Sequence, residues 1–153
     1  MVQFYEGGKM NEHPNEFRNV RFLAGPIHAG FPSPAEDWRE KRLDVNDLVV
    51  PHPISTYYMR VVGDSMNGAC IADQDIVVVD RAITATHNKI VVARLGEDFT
   101  LKRLQVINGR KMFLKSENPA YPAIEVSSRT DFEIWGCVTY VIHRLTGSSH
   151  TGL

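Results

Sequence analysis

"DIVVVDRAITATHNKIVVARLGEDFTLKRLQVI", residues 75 to 107, decides the fold class. Its apolar residues come in short runs, "DIVVVDRAI", "KIVVARLG" and "FTLKRLQVI", rich in Val, Ile and other β-branched or aromatic types. Asp, Asn and Gly separate the runs at spacings near ten, the pattern of strands joined by tight turns. The pattern extends outward in both directions. "TYYMRVVG" precedes it, and "KMFLKSE", "AIEVSS" and "FEIWGCVTYVIHRL" follow, so the chain beyond Pro53 predicts a mainly β domain of roughly seven strands. "EDWREKRLDVNDLVV", before Pro53, has only a broken helical pattern and predicts a short helix or turn. Residues 1 to 29 are rich in Gly, Asn, Glu and Pro, with one apolar cluster at Phe22, Leu23 and Ala24, and read as a flexible arm. Residues 30 to 145 form the β-rich domain, and the tail from 146 to 153, "TGSSHTGL", lacks apolar periodicity and reads as disordered.

Composition narrows the function. A chain of 153 residues fits one domain able to bury about two-thirds of its unfolded surface without metal or disulfide support. Lys and Arg number 17 against 18 Asp and Glu, which argues against coating nucleic acid by bulk charge. Cys70 and Cys137 stand far apart with no CxxC and no histidines at ligand spacing, so neither a zinc site nor a disulfide is indicated. Two buried thiols in a reducing cytoplasm are expected. No apolar run approaches the ~18 residues of a membrane span, and "MVQFYEGGKMNEHPNEF" does not resemble a signal peptide, so a soluble, cytoplasmic protein is expected.

The chemistry centres on "GDSM", Gly63 to Met66, directly after the strand "YYMRVV". A glycine that permits a tight turn can hold the following serine with its hydroxyl exposed and its backbone N–H free, a placement that suits a nucleophile. Gly-Asp-Ser is also common turn chemistry, because Asp and Ser side chains bond the nearby backbone. A serine needs a base to take its proton. His13, His28 and His150 fall in the arm or tail, His52 lies between prolines, His87 is in a turn and His143 is near the chain end. None has an obvious orienting carboxylate, so nothing favours a Ser-His-Asp triad. In "DFTLKRLQV", alternation sends Lys102 to the face of Thr100 and Leu104, and Arg103 to the opposite face with Leu101 and Gln105. A lysine on a covered face loses water and its pKa falls from about 10.4, which makes it a general base where an arginine remains charged. On an open face it would simply snorkel.

"GFPSPAEDW", "HPISTYYMRVVGDSM", "IADQDIVVVDRAITATHNKIVVARLGEDFTLKRLQV", "NPAYPAIEVSS" and "FEIWGCVTYVIHRL" together resemble, in order and spacing, the UmuD family of LexA-like, S24-type self-cleaving peptidases, over roughly residues 29 to 145. The resemblance implies Ser65 as nucleophile and Lys102 as general base, with no cofactor and no metal. It implies a scissile bond between Ala29 and Gly30, and an oxyanion held by the backbone N–H of Ser65 and of Asp64. It further implies an SOS-response mutagenesis protein, cut when a RecA filament on single-stranded DNA promotes the reaction. The shortened form would be a homodimer that serves a UmuC-type error-prone polymerase in translesion synthesis. The arm contains a second small pair, Ala24-Gly25, but Pro26 after it removes an N–H that a strand-like substrate would use.

The chain departs from the family pattern in three places. Asp73-Gln74-Asp75 stands where Asp-Gly-Asp is usual, which predicts a looser turn; the segment before Gly25 matches poorly; and the tail after Leu145 runs long. Residues 1 to 28 are too short and polar for a helix-turn-helix, so sequence-specific DNA binding of the LexA type is not expected. Two other functions compete: a non-catalytic dimeric regulator that occupies a polymerase or RecA, and a signal-peptidase-like enzyme acting on other chains. The missing membrane anchor argues against the latter.

Overall fold

A computed structural model describes residues 44–126 and 131–146, together with the backbone of three short strands nearer the N-terminus. The chain is mainly β, as its apolar runs predict. In chain order the elements are β1 (Val2–Phe4), β2 (Arg21–Leu23), β3 (Glu40–Arg42), helix α1 (Val45–Val49), β4 (Thr56–Val61), β5 (Ile76–Asp80), β6 (Ile90–Leu95), β7 (Asp98–Ile107), β8 (Lys111–Lys115), β9 (Ile124–Val126) and β10 (Phe132–Ile142). The seven expected strands are β4 to β10. The chain divides into two compact units, Gly7–Pro51 and a larger one made of Met1–Glu6 with His52–Leu153.

The smaller unit pairs β2 with β3 and contains α1, whose start is capped by the Asp44 carboxylate accepting from the Asn46 N–H. The larger unit is one eight-stranded sheet in the order β1-β4-β5-β10-β6-β7-β8-β9, every neighbour antiparallel. β10, the longest strand, lies between β5 and β6 and shifts register against both. Its residues pair with β5 and β6, which lie far back in the chain, so the sheet closes only when β10 arrives.

Apolar side chains cover both faces of the middle of this sheet. On one face Met59, Val61, Val77, Val79, Val92 and Leu101 pack together with Met66 and Ile71. Alternate residues on the other face, Val91, Ala93, Leu104, Leu114 and Cys137, form a second cluster. Strands buried on both sides need unbroken apolar runs, which is why "VVV" at 77–79 and "VVA" at 91–93 show no alternation. At roughly 1.5–3 kcal/mol for each fully buried aliphatic side chain, these two clusters are the main source of stability.

Cys137 is buried, its Sγ donating to the Ile83 carbonyl at 3.4 Å, and burial pushes its thiol up. Cys70 corrects the expectation of two buried thiols: it is exposed, in a left-handed position that ends a short 3-10 turn at Asn67–Ala69. The looser turn expected at Gln74 is also corrected. Gln74 takes φ +70 and its N–H closes on Val61 O at 2.9 Å, so a residue with a side chain occupies the conformation glycine would hold at lower cost. No helix among the described residues is long and apolar enough to cross a membrane.

Candidate active site

The strand β4 delivers the chain to Gly63, whose φ of +100 belongs to glycine and whose N–H donates to Asp73 Oδ1 at 2.7 Å. Asp64 and Ser65 follow on the turn, and Met66, 1 % exposed, plunges back into the core. Ser65 is thus held between a fixed glycine bend and a buried anchor, as the Gly-Asp-Ser reading requires. From β7 comes Lys102, only 8 % exposed, while Arg103 turns to the other face and pairs with Glu117 at 2.5 Å. Each cation goes to its own face, and Lys102 is the buried one of the two while Arg103 stays partly exposed.

Lys102 Nζ donates to Ser65 Oγ at 3.1 Å and to Leu101 O at 3.0 Å. No carboxylate among the described residues pairs with it, and burial lowers its pKa below the ordinary lysine value. The cause is loss of water around the ammonium, with nothing to offset it. A neutral amine has one lone pair, and the nearest hydroxyl proton is that of Ser65. These two side chains border a cleft of ≈ 310 Å³, walled by Val61, Val62, Leu101 and Tyr121. Neither the Asp64 N–H nor the Ser65 N–H is donated to an acceptor among the described residues, so both are available to an oxyanion.

The segment after β8 holds this turn, and sequence reasoning passed over it. Glu117 N–H donates to Ser65 O at 2.9 Å, and Gly68 N–H donates to Glu117 O at 2.8 Å. A Cβ on residue 68 would collide with the Glu117 carbonyl, so only glycine allows that approach. Asn118 Nδ2 reaches Asp64 O and Oδ2 at 3.2 and 3.3 Å, and the Tyr121 hydroxyl donates to Asp64 Oδ1 at 2.6 Å. That hydrogen bond to the Asp64 carboxylate raises the Tyr121 phenol pKa. Arg103 adds a bond to Asn88 O at 2.7 Å, which fixes Glu117 from behind. In the sequence the only trace of this clasp is the Asn-Pro dipeptide of "SENPAY", a turn signal without an address.

The remaining residues with chemistry are elsewhere. The histidines do have carboxylate partners, contrary to expectation: His52 Nδ1 meets Asp80 Oδ2 and His143 Nδ1 meets Asp75 Oδ1, each at 2.6 Å. The Ser65 hydroxyl is bonded to neither. His87 Nδ1 accepts from the Val106 N–H at 3.0 Å. Ala29 and Gly30 lie outside the described residues, as do His13, His28 and His150. No cluster of three metal-ligating side chains occurs among the described residues.

A serine hydroxyl 3.1 Å from a desolvated lysine at the edge of a cleft is an arrangement suited to the serine peptidases as a class. Residues 21–139 match the Peptidase S24-like family, and the chain belongs to that family. The chain is 39% identical over 123 residues to protein MucA of Salmonella typhimurium, covering 80% of this chain and 83% of that protein. It is 39% identical over 122 residues to protein ImpA of Shigella flexneri, covering 80% and 82%. With the LexA repressor of Bordetella parapertussis it shares 38% identity over 131 residues, covering 85% of this chain and 59% of the repressor. The UmuD-type relationship carried by the motifs at Gly30, Ser65 and Lys102 is thereby shown, and the chain is of the serine-peptidase kind.

Proposed function

We propose that this chain is an SOS-mutagenesis protein of the UmuD type that cuts its own Ala29–Gly30 bond with a Ser65–Lys102 dyad. The observation that carries the proposal is the 3.1 Å contact between Ser65 Oγ and a buried Lys102 that no carboxylate among the described residues compensates. Lys102 Nζ takes the Ser65 proton as Oγ attacks the Ala29 carbonyl carbon, and the oxyanion rests on the N–H groups of Asp64 and Ser65. Lys102 then hands that proton to the Gly30 nitrogen as the peptide bond breaks. Water, deprotonated by Lys102, hydrolyses the ester left on Ser65, and the serine is restored. Small residues on both sides of the bond let an extended substrate approach without side-chain collision.

Stimulation by a RecA filament on single-stranded DNA fits this chemistry. A poised pair needs only a change in arm docking or in Lys102 desolvation to become active. The shortened protein then acts as a cytoplasmic homodimer and accessory subunit of an error-prone polymerase; the support is membership of the family that includes MucA and ImpA. The test is to incubate the full chain with RecA, single-stranded DNA and a nucleotide, and to read fragment masses. A new N-terminus at Gly30, absent with Ser65→Ala, is expected. Cutting at another bond, or cutting by Ser65→Ala, overturns the proposal.

A further inference from the structure

Among the described residues, one buried side-chain polar atom lacks any partner: Ser116 Oγ. Ser116 is 4 % exposed, and a fully covered hydroxyl without a hydrogen bond costs about 1–3 kcal/mol. Its position in the sheet gives a reason for tolerating that cost. β7 and β8 pair Leu104 with Leu114 and Arg103 with Lys115. Carrying that register one residue further sets Ser116 opposite Lys102. The side chains agree. Leu114 is buried, Lys115 is exposed, Ser116 is buried again, and Glu117 turns to the opposite face to meet Arg103. Ser116 therefore lies on the covered face with Leu114, Leu104 and Lys102.

The hydrogen-bond count around Lys102 is incomplete in a complementary way. An ammonium carries three N–H donors. Two have acceptors, Ser65 Oγ and Leu101 O, and the third has none among the described residues. With its lone pair facing the Ser65 hydroxyl the neutral amine already leaves one N–H unused, protonation makes that N–H a charged and stronger donor, and the unpartnered Ser116 Oγ stands in register beside it. We propose that Ser116 is a positioning residue for the dyad: its Oγ turns to accept from Lys102 Nζ once Lys102 has taken the Ser65 proton. A rotation of χ1 between staggered wells moves the hydroxyl without moving the backbone. A hydrogen bond from a charged donor is roughly twice as strong as one from a neutral amine, so the contact stabilises the charged intermediate more than the resting state.

This inference rests on the Ser65–Lys102 reading. The other ionisable groups near Lys102 are already engaged. Arg103 and Glu117 hold each other, Asp64 is held by Tyr121 and Asn118, and the Lys115 side chain points outward. β6 presents Val91 opposite Lys102, and one strand beyond it on the same face is the Cys137 thiol, with its raised pKa.

The experiment compares the full chain with Ser116→Ala and Ser116→Thr. Unassisted cleavage is followed from pH 7 to 11, and the Lys102 Cε resonance is titrated in Ser65→Ala, with and without Ser116→Ala. Ser116→Ala is expected to slow cleavage about tenfold and to move the Lys102 midpoint down by about half a unit or more, because the charged form loses an acceptor. Ser116→Thr restores both. Superimposable rate profiles and Lys102 midpoints in wild type and Ser116→Ala overturn the positioning role, as does slower cleavage with an unmoved midpoint. Failure of the underlying dyad reads out separately, as Lys102→Ala cleaving like wild type.

Discussion

Two corners of the larger unit hold a serine, an ionisable nitrogen and a place to exchange a proton, and they differ in compensation. At the first, Ser65 faces Lys102 with no counter-charge among the described residues. At the second, Asp80 is 1 % exposed and collects His52 Nδ1, the Ser55 hydroxyl at 2.9 Å and the Ala82 N–H at 2.8 Å. Burial pushes the Asp80 carboxyl up, but His52, Ala82 and Ser55 together outweigh it and leave the pKa lowered. Ser55 bonds the carboxylate and not the imidazole, so serine, histidine and aspartate meet in the wrong order for a triad. At the second corner the buried carboxylate is held by three hydrogen bonds. Only the first leaves a base whose proton affinity burial has weakened.

Substitution breaks this contrast most sharply. Ser65→Ala and Lys102→Arg should each reduce self-cleavage by roughly a thousandfold or more, the arginine because it cannot lose its proton at usable pH. His52→Ala, by contrast, should leave the cleavage rate within about twofold while costing about 1–3 kcal/mol, because Asp80 loses a partner in its buried site. Gel quantitation and urea unfolding check both; a large loss of cleavage in His52→Ala would erase the distinction between the corners.

The pH response sharpens it further. Below the Lys102 midpoint the neutral amine fraction rises tenfold per unit, so unassisted cleavage should climb with pH and level off above the midpoint. Stability follows by linkage. The unfolded chain binds the Lys102 proton more tightly than the folded one, so stability rises with pH from the folded midpoint to about 10.4. Lys102→Met should therefore unfold later than wild type at pH 7, by about 1 kcal/mol, with the advantage shrinking toward pH 10. Asp80 acts in the acid range. Its lowered pKa contributes stability that is complete above about pH 4 and is lost as pH falls through the folded value. Urea midpoints across pH for wild type and Lys102→Met separate the two windows.

Smaller effects probe the supports. Tyr121→Phe removes one hydrogen bond from Asp64 and should slow cleavage about threefold with unfolding nearly unchanged. An equal loss of stability would make the clasp structural only. Gln74→Gly should raise stability by about 0.5 kcal/mol, since relief at φ +70 slightly exceeds the added freedom of the unfolded chain.

Much of this was legible in the linear chain because strand runs and their turn residues are local signals. "KIVVARLG" and "FTLKRLQVI" become β6 and β7 with Lys102 on the covered face, since a two-residue period fixes which way each side chain points. The clasp of Glu117, Asn118 and Tyr121 on the Ser65 turn was not legible, because it joins segments more than fifty residues apart through one backbone pair and two side chains whose partners no local pattern names. The carboxylate partners of His52 and His143 were hidden for the same reason, at separations of 28 and 68 residues. Cys70 misled because an apolar residue type says nothing about where a turn will leave it.

By itself the sequence determined a β-rich chain, the family it joins, and the pair of residue types able to pass a proton. Only the tertiary structure decided that Lys102 is stripped of water and set 3.1 Å from Ser65 Oγ. Alternation specifies a face, but a face acquires its dielectric and its neighbours only when distant strands close over it.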